Sequence, residues 1–210
     1  MIQYKTILKE ASAEQIIDKS RFITYVRPVE TKEEADAFIA EIKAKHRDAT
    51  HNVPAMVIGD KFQIQWASDD GEPQGTSGAP MVQMLVKEGL TNLVIVVTRY
   101  FGGIKLGTGG LVRAYTGSAK LGIEAAGICE VKDMCRVMVK IDYTYLSRLQ
   151  NFAQNGMFTI EDIIYEDAVK AVLLTEPEER GKLDGILANL TSGSFEIMEE
   201  KTELVKCCNA

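Results

Sequence analysis

Five apolar residues in a row, Leu93-Val94-Ile95-Val96-Val97, stand between polar stretches near the middle of the chain. Their number suits a strand, and the lack of alternation predicts burial on both faces, as in a central strand. Upstream, residues 4–8 and 21–26 are rich in β-branched and aromatic side chains and predict two strands, with Ile16-Ile17 between them. Ala35, Phe38, Ile39 and Ile42 then recur at helical spacing behind Thr31 and Glu34, a capping-box pair, so a helix is predicted over residues 32–45. Residues 55–58 and 62–66 predict two more strands, joined by a turn at Gly59-Asp60-Lys61. A helix is expected from about Pro80 to Gly89, and another from about Gly109 to Gly127 that buries Leu111, Val112, Tyr115, Ala119, Gly122, Ile123 and Ala126.

Beyond residue 131 the pattern changes. It parses as strand 135–141, helix 145–155, strand 157–165, strand 169–175, helix 178–190 and strand 194–202. Asn155-Gly156 and Ser192-Gly193 sit where helices end, and Thr175 with Glu178 marks the start of the second helix. The order βαββαβ is the ferredoxin-like arrangement. The fold class is therefore α+β in two domains, residues 1–130 and 131–205, with 206–210 as a tail.

Composition narrows the picture. The 210 residues are 46% hydrophobic and 26% charged, which suits a globular protein and excludes a collagen-like or disordered chain. No apolar run reaches the roughly 18 residues of a membrane helix, and the N-terminus lacks a signal-peptide pattern, so a cytoplasmic protein with no membrane partner is expected. The net charge of −6 is uneven: residues 1–130 hold 15 basic against 16 acidic side chains, residues 131–210 hold 9 against 14. The acidity of the second part argues against sequence-blind nucleic-acid binding there, while the first can still carry a local basic patch. Cys129, Cys135, Cys207 and Cys208 match no zinc spacing and read as reduced thiols, and the two histidines, His46 and His51, gather no third ligand. No metal or cofactor is expected.

Two glycine-marked loops carry the candidate chemistry. In the second, Gly102, Gly103, Gly107, Gly109 and Gly110 let the backbone approach a ligand, while the following helix directs free N–H groups toward it. With Arg99, Lys105 and Arg113 these residues make a candidate anion site. Neither the Walker A nor the GxGxxG pattern is met, so close loop packing, anion or RNA-backbone binding and nucleotide chemistry all stay open. The first loop offers Asp69, Asp70 and Glu72, with Thr76 nearby. Such carboxylates can bind a divalent cation or act as acid and base, or simply shape a turn. Asp70 or Glu72 can alternatively pair with Arg99 or Lys105 and hold the two loops together. His51 is a candidate acid/base without a visible partner.

Arg99-Tyr100-Phe101-Gly102-Gly103-Ile104-Lys105-Leu106-Gly107 resembles the hallmark of the Impact/YigZ family. Lys19-Ser20-Arg21-Phe22, Ala49-Thr50-His51-Asn52, residues 68–76 and residues 109–115 are similar to it as well. The likeness covers residues 15–127, and the acidic remainder resembles the extra domain of bacterial members. It implies a first domain like domain two of ribosomal protein S-five and a second like domain five of elongation factor G. It also implies a role near translation, since eukaryotic relatives restrain a stress kinase acting on initiation, though through a further domain. The expected function is a cytosolic binding protein of translation or its regulation, contacting RNA, the ribosome or a translation factor through the second loop. A metal-dependent phosphate-handling enzyme and a purely protein-binding adaptor are the alternatives.

Overall fold

A computed structural model describes residues 2–207. The chain is α+β and divides into two compact units, one formed by Gln3–Val131 and the other mainly by Lys132–Val205.

The first unit is built on a sheet of β2 (Ala11–Ile17), β3 (Ser20–Pro28), β4 (His51–Ile58), β5 (Ile64–Ala67) and β6 (Leu93–Tyr100), in the order β2-β3-β6-β4-β5. Every neighbouring pair is antiparallel. The apolar run forms the central strand β6 and is buried throughout. Its even positions Val94 and Val96 meet Phe38, Ile39 and Ile42 of α1 (Lys32–Lys45) on one face. Its odd positions Leu93, Ile95 and Val97 meet Met81 and Leu85 of α2 (Gly78–Lys87) and Tyr115, Ala119 and Ile123 of α3 (Gly107–Ala126) on the other. This is the alternation a sheet between two helical layers imposes. β1 (Ile2–Ile7) ties the helix ends to this layer: Lys5 N–H donates to the Gly89 carbonyl, and Leu8 N–H to the Gly127 carbonyl.

Helix α1 has the bounds its spacing predicts, and the Thr31 hydroxyl accepts from Glu34 N–H at 3.2 Å. The return bond differs from a capping box, since the Glu34 carboxylate takes the N–H of Glu30 (2.8 Å). Residues 4–28 hold three strands where two were expected. Ala11–Ile17 is a full edge strand whose small and polar side chains are half exposed, so it shows no apolar alternation.

The second unit is built from α4 (Leu146–Gln154), β8 (Thr159–Tyr165), β9 (Val169–Thr175), α5 (Arg180–Thr191) and the greater part of β7 (Ile128–Ile141) and β10 (Phe195–Cys207). The order β10-β7-β9-β8 is that of the ferredoxin-like fold. Val137, Val139, Ala171 and Leu173 turn to one face, against Leu149 of α4 and Leu183, Leu187 and Leu190 of α5. Thr175 does not cap the second helix. It ends β9 in the interior, and Glu176 precedes a short 3-10 turn, Pro177–Glu179, before α5 begins. β10 extends to Cys207, so Lys206 and Cys207, expected in a tail, are strand, while residues 208–210, with Cys208, lie outside the described residues. Among the described residues no helix is long and apolar enough to cross a membrane.

Candidate functional site

Sheet register gathers the candidate residues at one end of the first unit. Phe22 of β3, Arg99 of β6 and His51 of β4 lie side by side across three strands. Residues in such a row share a face, here the one covered by α2 and α3. Tyr100, one residue on, points to the α1 face.

The first loop closes over this row. Glu72 is buried, and its Oε1 accepts from Arg99 Nη1 at 2.7 Å and from the Tyr115 hydroxyl at 2.6 Å. The Arg99 and Glu72 side chains are only 6% and 3% exposed. Arg99 also donates to Ser20 Oγ (3.2 Å), and its guanidinium lies over the rings of Phe22 and Phe101. Arg99, expected to face an anion, is therefore neutralised inside the unit. Of the loop pairings open to the sequence, Glu72 with Arg99 is the one that forms. Burial first, and then the bond to the Glu72 carboxylate, push the Tyr115 phenol well above its ordinary range.

The neighbouring carboxylates are also committed. Asp69 accepts from Gly75 N–H (2.7 Å), Ser77 N–H (3.2 Å), Ser77 Oγ (2.6 Å) and Gly78 N–H (2.9 Å). It caps α2 from outside the helix and takes over the task Ser77 leaves undone. Burial works to raise this carboxyl, but the bonds from Ser77, Gly75 and Gly78 outweigh it and hold the pKa below the ordinary value. Asp70 accepts from Asn52 N–H (2.6 Å) and pairs with Lys43 (2.6 Å). Thr76 donates to the Pro73 carbonyl at 2.6 Å and shapes the turn. The three carboxylates serve different partners, and no group of three or more His, Cys, Asp or Glu able to hold a metal occurs among the described residues.

His51 has the partner its sequence context did not reveal. Its Nδ1 donates to the Asp70 carbonyl at 2.8 Å, leaving Nε2 facing Glu72 Oε1 at 3.8 Å. His46, on the α1 face, joins Tyr25 and Tyr100. Tyr100 donates to Asp48 Oδ1 (3.2 Å), so it accepts from His46 Nδ1 (2.9 Å), and His46 Nε2 accepts from Tyr25 (2.8 Å). Burial, followed by nearby Lys45, lowers the His46 pKa and so favours the neutral ring. Ser20 and Tyr100 stood in the motifs and Tyr115 on the buried helix face, but neither they nor Tyr25 were assigned to the site. One usable signal was that a tyrosine on a helix's buried face needs a partner for its hydroxyl.

The second loop is open by contrast. A Cβ on Gly102 would lie 2.0 Å from the Lys19 carbonyl carbon and oxygen, so this glycine lets the loop press against the β2–β3 turn. Gly103 and Gly107 have φ of +85° and +70°, a backbone region that suits glycine. Gly109 and Gly110 lie in the first turn of α3, which has no side-chain cap and no acidic residue. Lys105 and Arg113 are exposed, and Arg113 Nη1 lies 3.6 Å from where a Gly109 Cβ would be. Neither cation forms an ion pair among the described residues, whereas Arg99, Lys43 and Arg21 all do.

Comparison with known proteins places this geometry among relatives. Residues 18–123 match the model of the Impact N-terminal domain, and residues 139–194 match a domain of unknown function, DUF1949. The IMPACT family member YvyE of Bacillus subtilis is 42% identical over 98% of this chain and 95% of its own. The IMPACT family member YigZ of Escherichia coli is 33% identical over 87% of this chain and 90% of its own. A crystal structure of a hypothetical protein covers 94% of this chain and 97% of its own, with 30% identity and a TM-score of 0.59.

Proposed function

The chain belongs to the Impact family, and from that membership we propose that it is a cytoplasmic binding protein of translation or its regulation, contacting RNA through the second glycine loop. The observation that supports this reading is the open first turn of α3. Its amide groups are uncapped, and Lys105 and Arg113 stand exposed beside them with no carboxylate to neutralise them among the described residues. Free N–H groups, the helix dipole and unpaired cations together favour a phosphate. Phosphate contact sets affinity for nucleic acid without reading its sequence. The closed first loop supplies the rigid floor for that surface, because Arg99 and Glu72 fix the end of β6 from which the second loop departs.

The test is equilibrium binding of the full chain to a labelled RNA at low salt, for wild type and for Lys105→Ala/Arg113→Ala. The double variant should bind at least roughly ten-fold more weakly, as expected when two phosphate contacts are lost. Equal affinity would contradict the proposal.

A further inference from the structure

The second loop also displays a ring. Phe101 leaves the end of β6 and is 45% exposed, and Ile104 is exposed on the same loop. The backbone beneath is fixed: Phe101 N–H donates to Thr50 Oγ1 (3.0 Å) and Gly102 N–H to Ser20 Oγ (3.3 Å). The backbone that carries the ring is therefore fixed before any partner arrives, which reduces the entropy lost on binding. The buried Arg99 guanidinium lies over the ring, 5.3 Å from its centroid. Arg99 is in turn 5.4 Å from Phe22, and Phe22 meets Tyr115 edge-on at 5.4 Å. Phe101 is thus the exposed end of a run of contacts whose other members, Arg99, Phe22 and Tyr115, are buried.

The charge around the ring selects its partner. Residues 101–113 hold Lys105 and Arg113 and no acidic side chain. The two segments packed against the loop carry one charge of each sign, Asp18 with Lys19 and Arg47 with Asp48, so the loop's own cations set the balance. An apolar planar face with negative charge close by complements both the ring and the cations beside it. An unpaired nucleobase with its phosphate has both. In a duplex the base faces are already covered by their neighbours, so a ring on a surface loop can stack only on a base that is unpaired or splayed out. Resting on the RNA-binding reading above, we propose that Phe101 stacks an unpaired base of single-stranded RNA whose flanking phosphates lie against Lys105 and Arg113.

Fluorescence anisotropy with the full chain tests this, using a short single-stranded oligoribonucleotide, the DNA of the same sequence and the blunt RNA duplex. Phe101→Ala should weaken single-strand binding roughly ten- to a hundred-fold, the range for loss of one base–aromatic stack, and leave duplex binding unchanged. Phe101→Trp should restore it. Because the phosphate contacts remain, the salt dependence of Phe101→Ala should parallel that of wild type. DNA binding with the same dependence on Phe101 also supports stacking and assigns the 2′-hydroxyl no part. If Phe101→Ala binds the single strand like wild type while Lys105→Ala/Arg113→Ala binds weakly, stacking is overturned and the phosphate reading stands. If Phe101→Ala weakens single strand and duplex alike, the ring acts on the loop rather than on a base, which also overturns stacking. If no probe binds wild type, both readings fail.

Discussion

The two glycine loops of the first unit look alike in sequence and do opposite things in the fold. Each follows a strand, mixes glycine with charged side chains and leads into a helix. The first spends its charge inward: Asp69 caps α2, Asp70 holds the start of β4, and Glu72 neutralises Arg99 in the interior. The second leaves the start of α3 uncapped and turns Lys105 and Arg113 to solvent. The difference follows from the sign of the charge. A carboxylate before a helix finds free N–H groups and a positive dipole end, and is captured by them. A cation there finds no acceptor, so its attraction is left for an anion from outside.

The contrast breaks first at Glu72. Glu72→Ala leaves the Arg99 charge buried without its partner and should destabilise the chain by about 3–5 kcal/mol in denaturant unfolding. A loss below about 1 kcal/mol would mean the first loop is not the structural clamp described. Asp69→Ala, which removes a cap from α2, should cost about 1–2 kcal/mol.

The Asp69 effect also depends on pH, with a definite sign. The folded carboxyl is held below its ordinary value of 3.8. Its contribution is therefore complete above that value and is lost as the pH falls through the lower, folded one. Asp69→Asn should unfold with a shallower loss of stability over that acid range than wild type. Parallel losses would show that the capping charge is not what matters. The smallest stability effect belongs to the second loop, where Lys105→Ala and Arg113→Ala should each stay within about 0.5 kcal/mol of wild type. A larger loss for either would assign the second loop the same structural role as the first.

Local signals were legible and long-range ones were not. Helix α1 could be bounded from Thr31 and the spacing of Ala35, Phe38, Ile39 and Ile42, because cap and apolar face lie within one segment. The centrality of β6 and the order of elements in the second unit were readable for the same reason. Ala11–Ile17 escaped because an edge strand of small and polar residues carries little apolar contrast. Thr175 looked like a cap in sequence, but the pairing of β9 holds its backbone in the sheet. At the candidate site, Glu72 and Arg99 are 27 residues apart, and only the sheet register and the loop's path bring them together. The sequence offered that pairing as one choice among several, and nothing local could rank it above an outward-facing arginine. Phe101 was readable as part of a motif, but its exposure is set by tertiary packing.

The most direct test of the contrast is the salt dependence of RNA affinity for wild type and Lys105→Ala/Arg113→Ala. If the second loop works by holding phosphate, the double variant's plot of log affinity against log salt should be shallower by about 1.4, the change expected for two contacts to a single strand. Coincident lines for the two proteins would contradict the account.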